Sequence, residues 1–285
     1  MNEYGTKLTL REVQLEELDI LLKVRDFFEV HGIRYFLCGG TLLGAARHKG
    51  FIPWDDDIDI FVPREDFERL REIVKASRPL LGSVIFRIPD DDGYIYPYIK
   101  AVNTSILVDY GKTLDNYLWI DIFPLDRYPD SKIMHFFYLN LILNLERALA
   151  MGTFTDGHMR LRGYYDSFIK RIKMCIMRGI YRLLGGYKNV KRLIDRIGRS
   201  VDRKYSGSEH FGDGAWPNGM HDYYHESWIF PLGKMEFEGY DFSVPKNYDA
   251  FLSNFYGDYM TLPPEDKRQT HYLTAYRRFL ASDML

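Results

Sequence analysis

Residues 52–62 read IPWDDDIDIFV and set four aspartates into a stretch whose other residues have the β-branched, apolar character of a buried strand. In a strand over 58–62 successive side chains alternate faces, so Ile58 and Ile60 point into a core while Asp57 and Asp59 share the opposite face. Two carboxylates about 4 Å apart repel by roughly 4 kcal/mol at an effective dielectric near 20. A raised pKa or a bound cation relieves that repulsion. Hard oxygen ligands of this kind suit Mg²⁺ or Mn²⁺, which keep coordination positions for water or phosphate. The chemistry predicted for the pair is metal-assisted work on phosphate. Asp121, within YLWIDIF (117–123), is the expected third carboxylate, because a lone charge among apolar strand residues is costly to bury. Asp55 and Asp56 read as turn-capping acids, and Asp115 and Asp126 as solvated loop acids.

The elements that must position these acids are legible around them. YFLC (35–38) is a short strand candidate closed by Gly39-Gly40, and TLLGAARH (41–48) predicts a short helix opening at Thr41. Such a glycine turn brings backbone N–H groups and the positive end of a helix up to a phosphate. Upstream, apolar residues at helical spacing predict an amphipathic helix over Leu10–Val30, ended by His31-Gly32. After Pro63 a helix runs to about Ser77 with Phe67, Leu70, Ile73 and Val74 facing inward. VIFRI (84–88), YIYPYIKAV (94–102) and YLWIDIF are the further strands. Helical sequence follows from 131 to about 204. Within it, IMHFFYLNLILNL (133–145) falls short of the roughly 20 residues a bilayer span needs and reads as a core helix. After 206 come a hairpin in MEFEGYDFSVP and a helix in NYDAFLSNFYG. The expected fold class is α+β, a mixed sheet flanked by helices. It divides into a core with an N-terminal helix (1–130), a basic helical insertion (131–205), and a C-terminal segment that completes the core (206–285).

Composition narrows the partners. Lys and Arg number 38 against 40 Asp and Glu, so a net charge of −2 gives no global attraction for nucleic acid, and none is expected as a partner. Residues 160–204 differ sharply, with fourteen Lys or Arg against three acids. The alternation of cations with apolar residues in FIKRIKMCIMRGIYRLL is that of an interfacial helix on an anionic membrane surface, the other reading being a solvated basic helix. Two cysteines, Cys38 and Cys175, fit a reducing compartment, and MNEYGTKLTLREVQLEEL lacks the apolar centre of a signal peptide; a cytoplasmic protein is expected, at most peripheral to the inner face of a membrane. His221 and His225 lack an evident third ligand, so no zinc site is expected. Tyr94, Tyr96 and Tyr98 read as packing residues rather than a cage for a quaternary ammonium.

A glycine phosphate turn followed by an Asp-x-Asp strand is the pattern of the nucleotidyltransferase superfamily, here with sixteen residues between Gly40 and Asp57. The run GGTLLGAARHKGFIPWDDDIDIFVPREDFERL, together with WIDIFPLD (119–126) and YGDYMTLPPEDKR (256–268), resembles the LicD family. The resemblance implies a nucleotidyltransferase-like fold and transfer of a phospho-alcohol from a CDP-linked donor to a glycan hydroxyl, with release of CMP. In bacterial members the donor is usually CDP-choline, whereas the fukutin-related branch transfers ribitol phosphate. The acceptor is a cell-surface glycan or its lipid-linked precursor. Carried over by position, Asp57, Asp59 and Asp121 match the metal-binding acids, and Gly39, Gly40 and Thr41 the phosphate turn. Arg47 and His48 lie between the two motifs where cations meet diphosphate oxygens, and Lys100 and Arg268 are further candidate phosphate ligands. Two other readings stay open: a nucleotidyltransferase that uses a nucleoside triphosphate and releases pyrophosphate, and a catalytically silent, membrane-associated binding protein.

Overall fold

The computed structural model describes residues 5–109, 117–156, 159, 164–268 and 274–278. After β1 (Thr6–Lys7), helix α1 (Leu10–His31) opens on a capping box in which Thr9 and Glu12 satisfy each other's backbone N–H groups. It ends at Gly32, which takes up the left-handed conformation at φ 61°. Val13, Leu21, Val24 and Phe28 form its buried stripe. Then follow β2 (Phe36–Leu37), α2 (Gly39–His48), β3 (Asp59–Pro63), α3 (Arg64–Ser77), β4 (Leu80–Leu81), β5 (Val84–Arg87), β6 (Ile99–Asp109) and β7 (Tyr117–Tyr128). Three helices come next, α4 (Lys132–Thr153), α5 (Phe168–Leu183) and α6 (Tyr187–Lys204). The remainder holds β8 (His210–Asp213), β9 (Tyr224–His225), α7 (Glu226–Ile229), the hairpin β10 (Gly233–Phe237) and β11 (Tyr240–Val244), α8 (Tyr248–Tyr256) and β12 (Thr274–Arg277).

The strands build one mixed sheet along the path β1-β12-β6-β7-β3-β2, with β5 on β6 and β8 on β7, and helices pack against it. Strand β3 runs parallel to β7, and the remaining pairs are antiparallel. This is an α+β, nucleotidyltransferase-like fold. Its register sets the site: Asp59 lies opposite Asp121 across β3 and β7, and Asp121 opposite Lys100 across β7 and β6. Side chains directly opposite on neighbouring strands share a face, so three charged groups from distant parts of the chain form one row. Ile58 and Ile60 are fully buried beneath that row, as alternation predicts.

Several elements differ from the sequence-based expectation, each for a physical reason. Helix α2 opens at Gly39, not Thr41, with Cys38 as its N-cap. The Tyr94–Tyr98 stretch is not strand; Pro97 offers no N–H to a ladder, and β6 begins only at Ile99. Strand β7 continues to Tyr128, which makes Asp126 a fully buried strand residue instead of a solvated loop acid. Its carboxylate accepts two hydrogen bonds from Arg64, from Nε at 2.5 Å and Nη2 at 2.7 Å. Asp115 lies outside the described residues. The apolar run 133–145 is helical but is not a core helix throughout: His135, Leu139, Ile142 and Leu145 are buried, while Ile133, Phe136, Phe137 and Leu141 face outward. Among the described residues no helix is long and apolar enough to cross a membrane.

The helical insertion is tied to the sheet by an ionic cluster. Asp195 of α6, buried, is 3.0 Å from Arg71 of α3 and 2.6 Å from Arg199, with Arg64 at 3.7 Å. Asp202 accepts the Arg127 backbone N–H at 2.9 Å. Two of the acids in the basic segment therefore work as internal anchors.

Candidate active site

The carboxylate row sits where two cavities meet. One, of about 720 Å³, runs along α2: Gly39, Gly40, Leu43 and Arg47 line it at helical spacing, facing Asp55, Asp57 and Asp59. Its far wall is the C-terminal segment, including Tyr256, Asp258 and Tyr259. The other, of about 400 Å³, spreads over β6 and β7 and contains Asp57, Asp59, Lys100, Asp121, Tyr98, Trp119 and Trp216, closed from above by Glu146 of α4.

Close backbone approach shapes the first cavity. Gly39 adopts φ +53°, and a Cβ there would stand 2.9 Å from Asp59 Oδ2; a Cβ on Gly40 would stand 2.6 Å from Asp55 Oδ2. Cys38 supplies no side-chain cap to α2, and the first turn at Gly39 and Gly40 lines the cavity with the positive end of the helix. Thr41 lies behind them, buried, its hydroxyl accepting the Asp59 N–H at 2.8 Å, which fixes the strand against the helix. Arg47 donates from Nη1 to the Tyr259 carbonyl at 2.8 Å and from Nε to His48 Nε2 at 3.0 Å. Burial and then the neighbouring guanidinium lower the His48 pKa, so the ring serves Arg47 as a neutral acceptor. Arg268 stands apart from the acids: its guanidinium covers the Trp54 ring at 4.6 Å and donates to the Pro263 carbonyl at 3.1 Å, bracing the wall.

The electrostatics concentrate on Asp59. Burial comes first, then the Asp57, Asp121 and Asp55 carboxylates, and together they hold its pKa well above the ordinary carboxylate range, with Lys100 partly offsetting them. Lys100 Nζ lies 2.8 Å from Asp121 Oδ1. The same ammonium stands over the rings of Trp119 at 3.8 Å and Tyr96 at 4.4 Å.

The residues present fit a divalent cation in a specific way. Among the described residues no three His, Cys, Asp or Glu side chains are gathered into one cage. Asp57 and Asp59 line both cavities, and Asp121 is engaged by Lys100. One or two carboxylates plus substrate phosphates is the usual protein share of a Mg²⁺ site, and the load on Asp59 is of the kind a cation relieves. His225 is occupied elsewhere, with Ser227 Oγ at 2.7 Å and Glu209 at 3.2 Å.

The structure brings Gly39, Gly40, Arg47, Asp57, Asp59, Asp121 and Lys100 around one centre, and sets Thr41, His48 and Arg268 behind it. Four further residues at the cavities escape the sequence reading: Asp55, Tyr256, Glu146 and Trp216. Asp55 belongs to the aspartate run but precedes the strand, where alternation no longer assigns a face. Tyr256 opens the terminal motif and lines the α2 cleft together with Asp55 and Asp59. Glu146 and Trp216 carry no local signal.

Fold and site together define a nucleotidyltransferase-like domain with an acid pair beside the N-terminus of a helix. Residues 32–140 match the LicD/FKTN/FKRP nucleotidyltransferase domain. The chain carries a LicD-type domain over those residues. It is 28% identical over 279 residues to the lipopolysaccharide cholinephosphotransferase LicD of Haemophilus influenzae, covering 94% of this chain and 97% of that protein. Over 107 residues it is 37% identical to the ribitol 5-phosphate transferase FKRP of Homo sapiens and of Mus musculus, which is 37% of this chain and 19% of FKRP.

Proposed function

We propose that the protein transfers a phospho-alcohol, phosphocholine in the first instance, from a CDP-linked donor to a hydroxyl of a cell-surface glycan or its lipid-linked precursor, releasing CMP. The observation that carries this reading is the Asp57–Asp59 pair facing the open N-terminus of α2 across a cavity of about 720 Å³. Asp57 and Asp59 hold Mg²⁺ or Mn²⁺, with Asp121 alongside. When bound, such a cation offsets the negative charge of a diphosphate and of the departing CMP oxygen. The N–H groups at Gly39 and Gly40 orient the diphosphate, and Arg47, held by Tyr259, adds the planar fork of donors that suits it. Lys100 holds the Asp121 carboxylate in place. Both named transferases among the relatives, of phosphocholine and of ribitol 5-phosphate, support a donor of this class. The test is a panel of CDP-alcohols with Mg²⁺, followed by CMP release. CMP should appear with at least one donor, and Asp57→Ala and Asp59→Ala should abolish it with the fold intact. Pyrophosphate release from CTP, with no CMP from any CDP-alcohol, would transfer the site to nucleotidyl chemistry.

The helical insertion is the membrane-facing part of this reading, with the enzyme at the cytoplasmic face of an anionic bilayer. Helix α5 buries only Met174 and leaves Phe168, Ile169, Ile172, Ile176 and Leu183 exposed, interleaved with exposed Arg171 and Lys173. Apolar residues beside cations complement an anionic lipid surface, each cation adding about 1 kcal/mol near it. Co-sedimentation with phosphatidylglycerol vesicles should occur at low salt, weaken as salt rises, and be lost in Ile169→Asp/Ile172→Asp; equal binding to phosphatidylcholine vesicles, or none at low salt, would remove the proposal.

A further inference from the structure

The two cavities share Asp57 and Asp59 and otherwise differ in chemistry. The cleft along α2 offers backbone N–H groups and a guanidinium, suited to phosphates. The cavity over β6 and β7 offers ring faces, the Asn218 amide and a carboxyl, Glu146. In-line displacement at phosphorus needs the entering and leaving oxygens on opposite sides. With the nucleotide end of a donor in the α2 cleft, the entering oxygen comes from the aromatic cavity. At about 400 Å³ that cavity is of small-molecule size. Rings flanked by hydrogen-bonding groups suit a pyranose, whose C–H faces lie against aromatic planes while its hydroxyls reach the polar rim. Lys100 already stands over Trp119 and Tyr96, so those two ring faces are taken.

Glu146 of α4 lines this cavity together with Asp59, Asp121 and Lys100. Burial lifts its carboxyl to about 8, with Arg147 opposing and Asp222 adding to the shift. A base whose proton affinity lies near the working pH is well matched to accept a hydroxyl proton.

We propose that the cavity over β6 and β7 is the acceptor subsite, holding a neutral pyranose against Trp216 and Asn218, and that Glu146 is the general base for its attacking hydroxyl. The inference rests on the CDP-alcohol reading above. The sugar hydroxyl oxygen forms a bond to the phosphorus that carries the alcohol. The bond from that phosphorus to the bridging diphosphate oxygen breaks, CMP leaves with the electron pair, and the hydroxyl proton passes to the Glu146 carboxylate.

Two readouts test it. Saturation-transfer NMR with the methyl pyranosides of galactose, N-acetylgalactosamine and N-acetylglucosamine should show binding of at least one to the full chain. Trp216→Ala should weaken that binding about tenfold or more, the size of one lost aromatic contact. Asn218→Ala, on the surface and harmless to folding, should weaken it as well, and neither should alter CMP binding. Glu146→Gln should bind sugar and CMP as the native chain does, yet lose roughly 10²-fold or more in transfer from the active CDP-alcohol. Absence of binding by every pyranoside, unchanged binding in both variants, or displacement of the sugar by choline chloride would overturn the subsite. Transfer by Glu146→Gln within threefold of the native rate would overturn the base. If the native chain releases no CMP from any CDP-alcohol while sugar binding still depends on Trp216, the donor reading and the role of Glu146 fail and the sugar subsite stands.

Discussion

Lys100 and Asp121 show how one residue can serve the fold and the site together. Their ion pair lies almost entirely out of water, with side-chain exposures of 4% and 14%, and removing one partner of such a pair costs roughly 3–5 kcal/mol because the other charge stays buried. Lys100→Met should lower the unfolding free energy from urea titration by an amount in that range, with a lower midpoint, and Mg²⁺ should raise the melting temperature of the variant more than that of the native protein. An unshifted midpoint would show that Asp121 is satisfied without Lys100. Gly39 is the second case. A left-handed φ of +53° and an approach of 2.9 Å to Asp59 leave no room for a side chain. Gly39→Ala should cost about 1–3 kcal/mol in denaturant unfolding and displace Asp59, so that CMP release falls more than stability does. Equal stability and turnover would mean the turn relaxes freely.

Helix α4 faces two ways at the level of the element. Its outer residues Ile133, Phe136 and Phe137 are exposed, while His135 is buried between Tyr128 at 5.1 Å and Tyr223 at 4.2 Å. Burial, then the nearby His210, lowers the His135 pKa to about 4. The unfolded chain then binds a proton that the folded one refuses, between the unperturbed value of about 6.5 and that lowered value. Stability from this residue is present above about 6.5 and is lost as the pH falls toward about 4. His135→Phe should flatten this acid slope, narrowing the gap between the unfolding free energies from urea titration at neutral and mildly acidic pH by on the order of 1 kcal/mol. A parallel pH dependence in the variant would place the acid sensitivity elsewhere.

Across the whole molecule, the insertion and the sheet are joined by buried charge as well as by apolar contact. Asp195 answers Arg71 and Arg199 and lies near Arg64, whose other partner is Asp126 of β7. Asp195→Ala removes the buried charge that Arg71 and Arg199 share, while Arg71 keeps Asp90 and Arg64 keeps Asp126, so the cost falls below the roughly 3–5 kcal/mol of a fully stranded buried charge. Hydrogen exchange in the variant should rise across α6 (187–204) more than across β3 and β7; uniform acceleration would indicate that insertion and sheet unfold as one cooperative unit. The insertion also lines the second cavity, through Glu146 of α4.

The sequence by itself determined the features that depend on near neighbours in the chain. Alternation placed Ile58 and Ile60 in the core and Asp57 and Asp59 at the cavities, and helical spacing with capping residues marked α1 and α3 to within a residue or two. The glycine turn and the mixed sheet were legible for the same reason, as were three motif blocks that point to one family. Tertiary structure alone decided whatever depends on which distant segments meet. Strand register, a property of two segments at once, put Lys100 opposite Asp121 and Asp121 opposite Asp59. Asp126 became a buried ion-pair partner only because Arg64 arrives from α3, and the extent of β7 follows its neighbours rather than its turn residues. Glu146, Trp216 and Tyr256 reach the cavities by the packing of α4, of the 214–218 segment and of the C-terminal wall. Local propensity and periodicity report how a segment prefers to fold, whereas burial, pairing and proton affinity are set by what packs against it.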